Sequence, residues 1–255
     1  MIKQKTTRQR LRSALLLISL LMFPITLNYF SPYLIIMGAS EGLINGSFLV
    51  FSGMFLSSLF LGRLWCGWLC PAGALGEVCQ PINNKPVNGR KMDWIKWLIW
   101  VPWIVLIAVI AIGAGGYRAV NFLYGTENGI SVAGTADRPI LFAYIIFYGV
   151  IFLFVILSVV VGRRAGCHSV CWMAPFMIIG RKISNWLHLP ALRLKAEPEK
   201  CTSCNTCTTN CPMSLDVTAM VQRGKMENTE CILCGNCIDG CRTKAIRYRI
   251  MTITN

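Results

Sequence analysis

The chain has 255 residues, of which 55% are apolar and only 14% are charged, and its formal net charge is +14. This composition lies outside the range of soluble globular proteins and indicates a membrane protein. The positive charge admits lipid headgroups, acidic redox proteins or nucleic acid as partners. Lipid is favoured because the basic residues cluster beside apolar segments, and nucleic acid is rejected because they form no continuous patch.

Four apolar segments are long enough to cross a bilayer, which needs about 20 residues. They lie near residues 13–33, 42–62, 94–115 and 139–161. Lys96 stands near one end of the third segment, where its ammonium group is expected to reach the interface. The first segment is too long for the apolar region of a secretory signal, so no cleavable signal is expected.

Basic residues set the expected orientation of these segments. Thirteen of them would lie on one side: Lys3, Lys5, Arg8, Arg10, Arg12, Arg63, Lys85, Arg90, Lys91, Arg163, Arg164, Arg181 and Lys182. The other side would have Arg118 and Arg138. The pattern predicts a multi-pass protein of a prokaryotic cytoplasmic membrane with both termini in the cytoplasm.

A weak internal repeat follows the second and fourth segments. "GRLWCGWLC" contains Cys66 and Cys70, and "GRRAGCHSVC" contains Cys167 and Cys171. We therefore predict an all-α membrane domain with four transmembrane helices in two pseudo-repeated hairpins, each ending in a thiol pair at the same membrane face. It would cover residues 13–189, after a basic cytoplasmic tail over residues 1–12.

Residues 190–255 form a cysteine-rich domain in which two segments have the spacing C-x2-C-x2-C-x3-C. This is the spacing of bacterial ferredoxins, where the fourth cysteine of each run binds the other cluster. It predicts a small α+β domain with two [4Fe-4S] clusters. The predicted ligands are Cys201, Cys204, Cys207 and Cys241 for the first cluster, and Cys231, Cys234, Cys237 and Cys211 for the second. Zinc ribbons or a disulfide knot are the alternatives, and neither explains eight cysteines at this doubled spacing on a cytoplasmic side.

The membrane-edge cysteines leave more than one interpretation open. If each pair lay at positions i and i+4 of a helix, its thiols would share a face, and the repeat would bring four thiols together. Cys66, Cys70, Cys167 and Cys171 would then bind a third iron-sulfur cluster or another thiophilic metal ion. Reversible dithiol chemistry and plain apolar packing are the alternatives. Cys79 is unpaired and is expected to be structural.

In these features the chain resembles the NapH/NosR-type membrane ferredoxins, a family linked to quinol dehydrogenation. The resemblance rests on four spans, two C-x3-C motifs and the C-terminal double-cluster domain. The family motif continues with proline, which Pro71 matches after Cys70, whereas Trp172 follows Cys171. The resemblance implies electron transfer between a quinone pool and a partner redox protein, so the chain would be a subunit of a quinol dehydrogenase or related oxidoreductase.

Two functions from other classes remain as alternatives. In the first, the chain is a non-catalytic membrane anchor that passes electrons to a reductase. In the second, it is a thiol-based metal reductase or a cofactor-assembly factor. The histidines, His168 and His188, both lie outside the predicted spans, so no haem is expected. No catalytic residue can be assigned, and His168 is a candidate proton relay because it lies inside the second thiol motif.

Overall fold

The structure, a computed structural model, describes residues 6–133 and 139–253. Lys3, Lys5 and Arg138 lie outside these ranges, and the side chain of Arg90 is not described. The first part of the chain contains α1 (Thr7–Leu21), α2 (Phe23–Thr26), a 3₁₀ helix (Leu27–Phe30), α3 (Pro32–Glu41), β1 (Leu43–Asn45), α4 (Gly46–Leu61), α5 (Leu64–Trp68), α6 (Pro71–Val78) and α7 (Gly89–Met92). The second part contains α8 (Ile95–Gly113), β2 (Ala119–Asn121), α9 (Ile140–Val160), α10 (Ala165–Ser169) and α11 (Ala174–Trp186). The C-terminal part contains β3 (Ala191–Ala196), a 3₁₀ helix (Pro198–Lys200), α12 (Thr206–Thr209), α13 (Val217–Gln222), α14 (Asn236–Asp239) and β4 (Ile246–Met251).

Among the described residues, two helices are long and apolar enough to cross a membrane, α8 and α9. A third crossing exists if α1 and the segment Phe23–Phe30 are taken as one span, although the two parts are bent by 58°. The second predicted segment contains α4, which has 16 residues and is shorter than the length needed for a perpendicular crossing. The prediction of four spans is therefore met in part.

Local signals explain why the first half is divided into short helices. Ser31 caps α3 by accepting a hydrogen bond from the N–H of Leu34, and Pro32 occupies the first turn. Gly42 ends α3 with a left-handed backbone, φ 68°. Asn45 then caps α4 through the N–H of Phe48. These residues turn the chain between the first two apolar segments instead of allowing one continuous rod.

The internal repeat is visible in the order of the helices. The helices α4, α5 and α6 have 16, 5 and 8 residues. The helices α9, α10 and α11 repeat this order with 21, 5 and 13 residues. The third helix of each unit packs on the first helix of the other, α6 on α9 and α11 on α4. This reciprocal packing holds the two C-x3-C segments against each other.

The C-terminal unit is built around a two-stranded antiparallel sheet in which β3 pairs with β4. The first turn of α1 is attached to it, because Arg8 forms an ion pair with Asp239, and Gln9 donates a hydrogen bond of 3.0 Å to the carbonyl of Cys234. Helix α1 begins at Thr7, so it starts inside residues 1–12, the segment predicted as a tail.

Candidate iron-sulfur centres

Site 1 comprises Cys201, Cys204, Cys207 and Cys241, which line one cavity of about 290 Å³. The first three lie on the loop before α12 and within that helix, and Cys241 follows α14. Cys204 is exposed, and hydrogen bonds from the hydroxyl and N–H groups of Thr206 lower the pKa of its thiol. The cavity and its four sulfur donors fit a [4Fe-4S] cluster.

Site 2 comprises Cys211, Cys231, Cys234 and Cys237, which line a second and smaller cavity. Burial raises the pKa of Cys231 to about 12, and burial followed by the charge of Cys234 raises the pKa of Cys211 to about 11. The void between these side chains is about 20 Å³, so a cluster would require the thiols to turn apart. The donor set is that of a [4Fe-4S] cluster, and iron binding would have to overcome the raised thiol pKa values.

The eight ferredoxin cysteines line two cavities, and that each set binds a cluster stays a prediction. Each set takes three cysteines from one run and the fourth from the other. The charge of Cys207 contributes to the raised pKa of Cys237, so the two sites lie within electrostatic reach of each other. This proximity is what sequential electron transfer between two clusters needs.

Site 3 comprises Cys66, Cys70, Cys167 and Cys171, and its local geometry differs from the prediction. Neither pair lies on one continuous helix, because α5 ends at Trp68 and α10 ends at Ser169. Cys70 instead has an extended backbone, φ −80° and ψ 121°, at the start of α6. The condition under which each pair would share a helix face is not met, since a turn separates the two cysteines of each motif.

The four thiols nevertheless converge in the interior, each with 3–6% of its surface exposed. Burial raises the pKa of Cys70 well above its ordinary value, and the charges of Cys66, Cys171 and Cys167 raise it further. Burial, followed by the charges of Cys167 and Cys66, raises the pKa of Cys171 to about 12. These mutual charge effects indicate that the four thiols lie near one another.

Site 3 also contains groups that stabilise negative charge on sulfur. The N–H of Gly73 donates to Cys70, and the N–H of Ala174 donates to Cys171, so each repeat directs a helix N-terminus at its second cysteine. The positive charges of Arg164, Arg63 and Lys96 oppose the burial that raises the pKa of Cys167. Plain apolar packing would not need these donors and cations, and the set fits a cluster or a thiophilic metal ion.

A buried ion-pair network lies beside site 3. Glu230, the residue before Cys231, accepts a bond of 2.5 Å from Arg63 and one of 2.7 Å from Lys96. Burial alone would raise the pKa of Glu230, but Arg63 and Lys96 lower it to about 2. Lys96 is fully buried, so the prediction that its ammonium reaches the interface is wrong. The network links the membrane domain to the first cysteine of the second ferredoxin run.

His168, the candidate proton relay, is 1% exposed. Its Nδ1 lies 2.7 Å from Oδ1 of Asp93, while its Nε2 has no hydrogen-bond partner within the described ranges. Asp93, His168 and Glu230 could together offer three ligand atoms to a metal ion. However, Lys96 already contacts both carboxylates, at 3.2 and 2.7 Å, and supplies the positive charge that they need.

Sites 2 and 3 are joined by direct backbone contacts. The α-carbon of Gly67, next to Cys66, faces the carbonyl of Ile232, and a side chain at this position would overlap that oxygen. Trp68 donates a hydrogen bond of 3.1 Å to the carbonyl of Leu233. Since Ile232 and Leu233 lie between two site 2 cysteines, the loops that carry the two sites touch.

We expect Gly67→Ala to weaken this contact. Its methyl group would push the Ile232 carbonyl away, and overpacking of this kind costs about 1–3 kcal/mol. The measurement is the thermal unfolding midpoint of the purified protein in detergent. Gly53→Ala is the matched control, because a methyl group there meets nothing within 4 Å. Equal midpoints for the two variants would show that the contact contributes nothing to stability.

Sequence reasoning missed the residues that connect the sites. Glu230 has no motif of its own, and its position directly before Cys231 was the available signal. Glu77, which pairs with both Arg12 and Arg164, is an acidic residue within a mostly basic segment. An acidic residue next to a ligand run or an apolar segment is thus a useful sign of a buried counterion.

Two family models match parts of the chain. A model described as "4Fe-4S binding domain" matches residues 46–86, which include Cys66 and Cys70, and one described as "4Fe-4S dicluster domain" matches residues 193–242. The second match contains the eight cysteines of sites 1 and 2. The matches support iron-sulfur clusters in this chain, and Cys167 and Cys171 lie outside both.

Three curated proteins are similar over most of the chain. The uncharacterized proteins MJ0749 and MJ0750 of Methanocaldococcus jannaschii are 24% and 25% identical over 75% of the chain, which corresponds to 66% and 74% of their own lengths. A protein of Escherichia coli K12, named "Putative electron transport protein YccM", is 23% identical over 82% of the chain and 57% of its own length. No solved structure matches the chain. Together with the ferredoxin-type matches, these similarities support an iron-sulfur electron-transfer function.

Proposed function

We propose that this chain is a membrane-bound protein of the NapH/NosR type that passes electrons between the quinone pool and a partner redox protein. The observation that carries the proposal is the position of site 3, which contacts the ferredoxin unit through Gly67 and borders an apolar cavity in the membrane domain through Pro71 and Trp172. These residues directly follow or adjoin the site 3 cysteines. Site 3 thus stands between an apolar compartment and the two ferredoxin sites.

The cavity has a volume of about 210 Å³ and a mostly apolar lining. Phe142 and Ile146 of α9 line it and are exposed, so the cavity is open on the side of this apolar helix, where a ligand dissolved in lipid could enter. Asn28 and Ser131 supply polar groups at its wall. An apolar cavity with a few polar groups suits a flat quinone ring attached to a lipid tail.

Sites 1, 2 and 3 would each be filled by an iron-sulfur cluster, which when bound accepts and releases one electron. The cysteines hold the clusters, and the enclosing side chains keep water from sites 2 and 3. Arg63, Arg164 and Lys96 balance the thiolate charge at site 3. Neither His168 nor its hydrogen-bond partner Asp93 is among the residues that line the cavity, so the cavity lends no support to a proton relay through His168.

Anaerobic mixing of the purified protein with a water-soluble quinol tests the proposal. We expect the quinol to reduce the iron-sulfur centres, seen as bleaching of their visible absorption. If dithionite reduces the centres and no quinol does, the chain is an electron-transfer subunit without a quinone site. Turnover with Cu(II) in place of quinone would instead favour the metal reductase.

Ala143→Trp should weaken quinol binding, because Ala143 lines the cavity and an indole ring would fill much of it. We expect the quinol concentration for half-maximal reduction rate to rise about tenfold, equivalent to the loss of roughly 1.4 kcal/mol of binding free energy. Ile145→Trp is the control on the same helix, since Ile145 is 60% exposed and does not line the cavity. Equal effects of the two substitutions would place the quinone elsewhere.

A further inference from the structure

The three sites differ in how closely they approach the surface. Site 1 contains the exposed Cys204, and its other cysteines are partly exposed. In site 2, Cys231 is partly exposed and Cys211, Cys234 and Cys237 are 8% exposed, whereas the site 3 cysteines are at most 6% exposed. A soluble partner can therefore come nearest to a bound cluster at site 1.

Positive charge surrounds site 1. Arg242, which stands where the usual ferredoxin run has proline, lines the site 1 cavity and is exposed. Lys244 lies in the turn that follows, where its N–H bonds to the carbonyl of Cys241. Neither side chain has a carboxylate within 4 Å among the described residues. Arg223 follows α13, whose Gln222 is bonded to Ser203 beside Cys204.

Few negative charges offset these cations. Glu197 forms ion pairs with Lys200 and Arg247. The exposed carboxylates nearby are Glu199 and Asp216, and Asp216 already accepts hydrogen bonds from Ala219 and Thr208. The other residues that line the cavity are polar ones that are at least partly exposed, Thr202, Asn205, Thr206, Thr218 and Thr243, and the buried Val221, Ala245 and Ile246. The surface is thus cationic and polar, without a large apolar side chain at its rim.

We propose that this surface, the Arg242 face formed by Arg223, Arg242 and Lys244 around site 1, docks a redox protein whose own centre is ringed by aspartate and glutamate. The inference rests on the proposed function, for which it names the chemistry of the partner. Opposite charges speed the encounter of two proteins and orient their facing patches. The face is less suited to lipid, because membrane-binding surfaces combine cations with apolar residues that insert between the headgroups.

The test measures binding rather than turnover. The full-length protein in neutral detergent is immobilised, and an acidic [2Fe-2S] ferredoxin and an acidic flavodoxin are the probes, with a basic cytochrome c as the probe of opposite charge. We expect the acidic probes to bind with a Kd that rises at least about tenfold between 20 and 200 mM salt, because screening weakens attraction between exposed charges. The basic probe should not bind.

Arg242→Glu/Lys244→Glu should raise the Kd of the acidic probes at least about tenfold at low salt, whereas Lys91→Glu, at an exposed lysine outside the face, should leave it unchanged. Iron content checks that each variant retains its clusters. Loss of affinity that is equal in both variants, or salt-independent binding, would overturn the proposal. The proposal would also be overturned if the double substitution left probe binding unchanged and weakened only the binding of the protein to anionic lipid in nanodiscs. The face would then bind lipid headgroups.

The two proposals fail in different ways. If quinol does not reduce the centres but charge reversal still weakens probe binding, the docking face stands and the quinone role falls. If quinol reduces the centres and the acidic probes bind equally well after charge reversal at Arg242 and Lys244, the quinone role stands and the docking face falls.

Discussion

Cys66→Ser/Cys70→Ser should lower the iron content from about 12 to about 8 atoms per chain, with a matching loss of acid-labile sulfide. Both cysteines belong to the converging set of site 3, and removing two of four thiolates leaves too few ligands for a cubane. The eight cysteines of sites 1 and 2 are unchanged, so their clusters should remain. The measurement is anaerobic iron and sulfide analysis of protein reconstituted under identical conditions.

Cys79→Ser is the matched control for this experiment. Cys79 is also buried and follows α6, but no other cysteine contributes to its raised pKa, which burial causes. This variant should keep about 12 irons. About 8 irons in the wild type and in both variants would mean that site 3 holds no iron-sulfur cluster, which would favour dithiol chemistry or another metal ion.

The ferredoxin unit is the part of the molecule that sequence reasoning describes best. Ligand spacing is a local property, and a run such as Cys201–Cys204–Cys207 leaves little freedom in where its thiols point. The pairing of Cys241 with the first run follows from the same constraint. In the membrane domain, α8 and α9 were predictable because a continuous apolar run of about 20 residues is itself the signal.

The remaining features depend on contacts between distant segments. The break between Cys66 and Cys70 places the second thiol at a helix N-terminus, and spacing alone could not distinguish this turn from one helical turn. The position of Lys96 near the end of an apolar segment is typical of an interfacial residue. Its partner Glu230 is 134 positions away in sequence, so the contact could not be predicted from local pattern. Reciprocal packing of α6 on α9 and of α11 on α4 is likewise a property of the assembled repeat.

The Glu230 network leads to the second large effect, since Glu230→Gln should destabilise the protein by about 3 kcal/mol. The substitution keeps the shape of the side chain and removes the negative charge that Arg63 and Lys96 share. Both cations have at most 1% of their side-chain surface exposed, so water cannot replace the lost carboxylate. Removing one partner of a buried ion pair costs about 3–5 kcal/mol, and the partial exposure of Glu230 favours the lower end. The measurement is chemical or thermal unfolding in detergent.

Two further variants separate loss of charge balance from loss of a hydrogen bond. Glu199→Gln changes an exposed carboxylate and should leave the stability within about 0.5 kcal/mol of the wild type. Glu230→Gln/Lys96→Met also removes the buried cation that has lost one of its two carboxylates, and it should be more stable than Glu230→Gln alone. If the double variant is instead the less stable of the two, Lys96 stabilises the protein through Asp93, and the ion pair between Glu230 and Lys96 is not what holds the ferredoxin unit against site 3.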